Sequence, residues 1–393
     1  MRRIGWMCAT MLLVSFVASG ASILHGPYTG GPGETSITIS WSTDEPLPGR
    51  VEFATLEAFE AAGVLAQSAV FTSSDAGATC VRHLPLIDLK PNTDYAYRLI
   101  LLEEDTRITS PIGYFQTAPP PGSSVSFAVI ADTQQRAEGP NRLEWVGDGI
   151  ALGERVDFVL HAGDLVEAPE AFFWDDWFRS FDQMLLTAPF LPVLGNHEEN
   201  GSSYYETFVL PPGGGTANER WWALHWGDVV VVGLDSNLRS LDDLVAQREW
   251  AIEHLGGPEA HKFVLLHHPV FSSNPYHTEA LNFDVTFHPL FVENGVDVVL
   301  SGHAHGYERI ERDNVTYLVV AGGGATPYPF DEHRIDGSVV ALDGFYFYAR
   351  VEASLEGIKV EIVAVGEERD GASWPIEDRV LDRFALPVET PES

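Results

Sequence analysis

The sequence predicts an all-β sandwich followed by a layered α/β domain, and three observations predict it. Residues 23–117 carry only β signals. Residues 118–124, Ala-Pro-Pro-Pro-Gly-Ser-Ser, form a stiff polar break. Beyond it, short apolar runs alternate with helical stretches in a βαβα rhythm. At 393 residues with 45% hydrophobic content, the chain has room for two folded units and a large core.

In chain order, Arg2-Arg3, the apolar run Ile4 to Ala18 and Ser19-Gly20-Ala21-Ser22 have the basic, apolar and small-residue order of a secretory signal peptide. The run is interrupted and short against the roughly 20 residues of a membrane span. Residues 1–21 are therefore expected to be cleaved near Gly20 or Ala21, leaving a secreted or periplasmic protein without a stable membrane anchor. Cleavage removes Cys8 and leaves Cys80, expected to be a small core residue of a strand.

In the first unit, Ser36–Ser42 alternates with period 2 and carries Trp41. Arg50–Phe53, Ala69–Phe71 and Cys80–Leu84 read as further short strands. The order Leu86, Leu89, Pro91, Thr93, Tyr95 resembles the corner before a late strand of fibronectin type III modules, where a tyrosine hydroxyl returns to the backbone upstream.

In the second unit, residues 125–366, five apolar runs suit strands buried on both faces, and each breaks at a turn into chemistry-bearing residues. Val125–Ala131 runs into Asp132, Val156–Gly163 into Asp164, and Phe190–Gly195 into Asn196-His197-Glu198. Lys262–Leu266 runs into His267-His268, and Val298–Gly302 into His303-Ala304-His305. Ligands of such folds sit outside the carboxyl ends of the strands. Five strands thus deliver Asp, Asp, Asn, His and His-x-His to one rim, and imidazole is the commonest metal ligand near neutral pH. Helices are expected at Asn141–Glu154, Ala171–Leu186 and Leu241–Leu255, with the aromatic face of the second packed on the sheet. His161, inside a strand, is expected to be a satisfied core group, and His268 to hydrogen-bond within its turn.

Residues 204–228, with Trp221, Trp222 and Trp226, are expected to cap the rim. Gly322-Gly323-Gly324 reads as a tight turn near it, because no Lys-Ser/Thr follows. From Gly337 to Gly366 alternating strands are expected to complete the sheet as a hairpin, with residues 367–393 a loosely held tail. The net charge of −34, from 57 acidic against 23 basic residues, repels nucleic acid and anionic lipid.

In that order, Asp132, Gly163-Asp164, Gly195-Asn196-His197-Glu198, His267 and Gly302-His303-Ala304-His305 resemble the five motif blocks of the calcineurin-like metallophosphoesterases. Gly302 to Arg309 behind a fibronectin-like domain resembles their purple acid phosphatase branch. The resemblance implies an α-β-β-α layered domain and two metal ions sharing Asp164. Carried over by motif, one ion takes Asp132, Asp164 and His305, and the other Asp164, Asn196, His267 and His303. The mixed oxygen and nitrogen set suits iron, zinc or manganese. His197 is implied to face the phosphoryl group, and His277 falls where this branch carries substrate-side histidines, making it a proton-donor candidate. Two positions depart from the pattern. Asp132-Thr133-Gln134 has glutamine where glycine or histidine is usual, and Glu167 replaces the tyrosine whose phenolate binds ferric iron. Gln134, Glu167 or water would then supply the vacant ligand.

The implied function is an exported phosphohydrolase acting on small phosphomonoesters, with phosphodiesterase as the alternative on the same site. A surface binding protein with a dead hydrolase domain is the reading from another class. The complete ligand set argues against it, since a dead site is free to lose ligands.

Overall fold

The computed structural model describes residues 21–73, 81–103, 106–135, 139–238, 240–275, 283–330 and 332–387. Cys80 and His277 lie outside the described residues.

The first unit is a sandwich of two antiparallel sheets. One holds the strands Ile23–Gly30, Ile37–Thr43 and Val81–Leu86. The other holds Gln67–Phe71, Gly49–Thr55, Asp94–Glu103 and Thr106–Thr109, with Gly113–Gln116 also paired to Asp94–Glu103. The period-2 pattern of the second strand sends Ile37, Ile39 and Trp41 into a core shared with Val51, Tyr97, Leu99 and Phe115. The Tyr95 hydroxyl accepts the Lys90 N–H at 2.9 Å, fastening the corner that precedes its strand. Ser40 is buried as well as Ile39, because the outer face of this sheet packs against the second unit. There the Tyr28 ring meets Phe178 and Phe208, its hydroxyl donates to Thr207 O, and His25 stacks on Phe178 at 4.3 Å.

The second unit is built from two sheets packed face to face. In the first, Phe190–Pro192, Phe158–His161 and Val125–Ile130 run parallel, and Phe345–Ser354, Gly357–Arg369 and Ala372–Pro387 extend it antiparallel. In the second, Val229–Gly233, His261–Leu265, Val298–Ser301 and Val315–Val320 are the parallel heart, with Trp221–Trp226 on one flank and Tyr307–Arg312 and Ser338–Leu342 on the other. Phe127 stacks on Phe158 of its own sheet and meets Phe263 of the other edge-on at 5.1 Å. Helices Arg142–Leu152 and Ala171–Leu185 cover the first sheet, and Leu241–Leu255 covers the second, burying Ala251 and Leu255 against Val230, Val232 and Val264. Parallel strands buried on both faces explain the near-continuous apolar runs.

Three expectations are corrected. Residues 372–387 are a 16-residue strand rather than a loose tail. Its sequence reads as polar because it is an edge strand. It is held by its ladder, by Arg309 bonding Asp382 at 2.9 Å, and by the same guanidinium over Phe384 at 4.6 Å. Trp221, Trp222 and Trp226 do not cap the rim: all are buried in the strand Trp221–Trp226, with Trp222 Nε1 donating to Pro192 O. Ser338–Leu342 joins the second sheet, so the hairpin proper begins at Phe345.

Candidate metal centre

The parallel strands of both sheets end on the same rim, and the loops that follow are conformationally forced. Asp132, Asp164 and His303 have φ of +57°, +56° and +68°, a region that side-chain-bearing residues enter at a cost. Such strain persists only where the surroundings over-determine it. Here each carboxylate accepts backbone N–H groups: Asp132 accepts His303 N at 2.8 and 2.9 Å, and Asp164 accepts His197 N at 2.9 Å. Two glycines permit this closeness. A Cβ on Gly195 would lie 2.1 Å from Asp164 Oδ1, and one on Gly302 would lie 2.4 Å from Asp132 Oδ2.

The side chains converge. Asp132, Asp164 and His267 each offer a donor atom within 4.8 Å of the others, and His267, His268 and His303 do the same. His267 Nε2 lies 3.2 Å from Asp164 Oδ2, 3.1 Å from Asn196 Oδ1 and 3.2 Å from His303 Nδ1. His305 Nε2 lies 3.4 Å from Asp132 Oδ1. The outward nitrogens are already engaged: His267 Nδ1 with Ala162 O and His305 Nδ1 with Thr326 O, both at 2.8 Å. A hydrogen bond on one ring nitrogen that leaves the other for the centre is how metal-binding imidazoles are oriented. Asp132, Asp164 and His267 are fully buried, and buried carboxylates at this separation require a cation or protons between them.

The donor set fits a pair of ions with mixed oxygen and nitrogen ligands. Gln134 points at the same place. Its side chain is buried, its Nε2 lies 3.3 Å from Asp164 Oδ2 and 3.2 Å from His305 Nε2, and its Oε1 has no hydrogen-bond partner. Rotating the amide by half a turn presents the oxygen to the centre. Glu167 meets the site through its backbone, where its carbonyl oxygen accepts His197 Nδ1 at 2.6 Å. That bond leaves His197 Nε2 on the rim, 3.9 Å from Asp164 Oδ2.

His161 is a core group but only half satisfied: it is fully buried with Nε2 against Thr133 Oγ1 at 2.9 Å, its Nδ1 has no hydrogen-bond partner among the described residues, and burial pushes its imidazole down to about 3. His268 is corrected: its Nδ1 pairs at 2.8 Å with Ser236 Oγ on a neighbouring loop rather than within its own turn, and its ring lies 4.4 Å from that of His303.

The glycine turn lies beside the centre, with Gly323 N donating to Ala131 O and Ala325 N to Asp132 O. Glu198 stands in the third motif block, but its sequence assigned it no role. Its buried carboxylate accepts Gly195 N at 2.6 Å, Leu165 N at 2.7 Å, Asp164 N at 3.0 Å and Val166 N at 3.3 Å, tying two ligand loops together. Burial and the Asp164 charge push Glu198 up to about 7, and the N–H groups oppose them. Asn237 was also missed. Its Nδ2 donates to Leu194 O and Gly195 O. For Glu198 the available signal was its place in the Gly195-Asn196-His197-Glu198 block.

Comparison with known proteins gives a coherent pattern. Residues 125–307 match the family described as calcineurin-like phosphoesterase, and residues 24–117 match that described as purple acid phosphatase, N-terminal domain. Purple acid phosphatase 1 of Ipomoea batatas is 26% identical over 324 residues, covering 76% of this chain and 66% of its own. Phosphoenolpyruvate phosphatase of Allium cepa is 24% identical over 344 residues, covering 82% and 68%. The chain thus spans about two thirds of the length of these curated relatives. The purple acid phosphatase PPD1 of yellow lupin, Lupinus luteus, shares the fold, with a TM-score of 0.70, 18% identity and coverage of 92% of this chain and 74% of its own.

Proposed function

We propose that this chain, a phosphoesterase joining a calcineurin-like phosphoesterase domain to a purple acid phosphatase N-terminal domain, is an exported hydrolase of phosphomonoesters working with two metal ions. The observation that carries the reading is the convergence of Asp132, Asp164 and His267 with Asn196, His303 and His305 from five strand-end loops. Export rests on the signal-like order of residues 1–21.

Asp164, with one oxygen toward His267 and the other held by His197 N, is the group suited to be shared between two ions. Asp132, His305 and Gln134 would complete one side, and Asn196, His267 and His303 the other. Iron, zinc or manganese suits this set, and when bound such ions polarise a phosphoryl oxygen and acidify a coordinated water. The protein's own contribution is positional. His197 is aimed by donating Nδ1–H to Glu167 O, so that its Nε2, a donor once the ring is protonated, stands on the rim where a phosphoryl or leaving-group oxygen would arrive. His197→Ala is therefore expected to lower kcat roughly 10²- to 10⁴-fold while metal content is unchanged. Loss of metal from this variant would make His197 structural.

The test of the whole reading is metal analysis of the purified chain, paired with hydrolysis of p-nitrophenyl phosphate and bis-p-nitrophenyl phosphate. About two ions per chain and chelation-sensitive cleavage of the monoester are expected. Preference for the diester would replace monoesterase by diesterase. No turnover after reconstitution with iron, zinc and manganese would overturn the enzyme reading.

A further inference from the structure

Just beyond His305, the strand Tyr307–Arg312 carries another buried carboxylate. Side chains alternate along a strand, so Tyr307 and Arg309 turn together toward Asp382 of the other sheet, at 2.7 and 2.9 Å, while Glu308 turns the opposite way. Glu308 is fully buried. Its Oε2 accepts Ser273 N at 2.7 Å and Ser272 Oγ at 3.1 Å, and its Oε1 accepts Ser338 Oγ at 2.7 Å. Ser273 Oγ in turn accepts Ile335 N at 3.0 Å.

The two segments that Glu308 joins each continue from a ligand histidine. Residues 269–275 follow His267 and His268 and lie in no helix or strand. Tyr307–Arg312 follows His303 and His305 and is laddered on both sides, to Val315–Val320 and to Ser338–Leu342. The strand is therefore the fixed partner, and Glu308 holds the loop after His267 to it, with Phe271 packed on Tyr317 at 4.9 Å as a second anchor. The His303 loop is held at its start by Asp132, which accepts His303 N, and at its end by this strand. The φ of +68° at His303 persists only under such constraint. The facing atoms, His267 Nε2 and His303 Nδ1, lie 3.2 Å apart, one from each of the joined segments.

We infer that Glu308 is a positioning residue that sets the spacing of His267 and His303 and through it the affinity of the centre for metal, an inference that rests on the metal-centre reading above. What Glu308 supplies is reach. Its three donors are a backbone N–H and two hydroxyls, and an uncharged group of the same length satisfies them too.

Zinc titration of the chelated full chain, followed by calorimetry, separates reach from charge. Glu308→Gln keeps the reach and removes the charge: its oxygen takes the Ser272 and Ser273 donors, and its NH₂ meets the Ser338 hydroxyl, which can accept. Glu308→Asp keeps the charge but withdraws it by one methylene. Zinc binding is expected to stay close to wild type in Glu308→Gln and to weaken about 10-fold or more in Glu308→Asp, the loss that follows when a group orienting metal ligands is displaced. Glu308→Gln binding zinc as weakly as Glu308→Asp, or more weakly, would overturn the inference, and so would wild-type affinity in both variants. A wild-type chain that binds zinc and shows this order of variants, yet cleaves no ester with any metal, keeps Glu308 in its role and removes the proposed activity. A wild-type chain that binds no zinc removes both.

Discussion

Asp164→Asn is expected to release metal from the purified chain and to lower kcat/KM for a phosphomonoester by on the order of 10³-fold or more, the several kcal/mol that Lewis-acid stabilisation contributes. Asparagine is the informative replacement because it changes little else. It tolerates the φ of +56° at this position, and its Oδ1 still accepts His197 N. What disappears is a negative charge and one hard oxygen facing His267. A second readout comes from the metal-free chain. Burial works to lower the His267 imidazole, but the Asp164 carboxylate, its hydrogen bond and the Asp132 charge raise it to about 9. The folded value lies above the ordinary 6.5, so its stabilisation is complete below pH 6.5 and is lost as pH rises through about 9. Thermal unfolding of chelated wild type between pH 6.5 and 9 should show this decline, and Asp164→Asn should flatten it. Parallel curves for the two proteins would show that Asp164 and His267 are not coupled. Full metal content in the variant would remove Asp164 from the centre.

The rim was legible because its cause lies in the sequence. A strand buried on both faces must be apolar, so a sudden Asp132, Asp164 or His303 after such a run marks where the chain emerges. What could not be read depends on partners distant along the chain. His268 looks like any turn histidine until the fold brings Ser236 beside it from 32 residues away. The tryptophans of Trp221–Trp226 read as a cap because aromatic density alone does not separate an exposed lid from a buried strand. Residues 372–387 read as a tail for the opposite reason. A strand with solvent on one side draws little on apolar burial, and its anchor at Arg309 lies 73 residues back.

Glu198 was in view in its motif block but its role was not, and its substitution carries the other large expected effect. A buried carboxylate normally costs stability, yet this one accepts N–H groups from both ligand loops, Gly195 on one and Asp164, Leu165 and Val166 on the other. Oε2 takes Gly195 and Asp164, and Oε1 takes Leu165 and Val166, so each oxygen serves two donors. Glutamine keeps the volume but presents one oxygen and one NH₂. Whichever way the amide turns, two backbone donors then face another donor. Glu198→Gln is therefore expected to cost about 2–4 kcal/mol in denaturant unfolding of the metal-free chain. It should also weaken metal binding roughly 10- to 100-fold, as loss of a group that orients ligands does. Glu198→Ala should be worse on both counts, because it leaves four donors without an acceptor and opens a void. The pair of readouts separates positioning from chemistry. If Glu198 acts only by holding Asp164 and Asn196 in place, excess metal should restore most of the activity of Glu198→Gln. A kcat that stays low at saturating metal, with stability unchanged, would instead make Glu198 a participant in proton transfer.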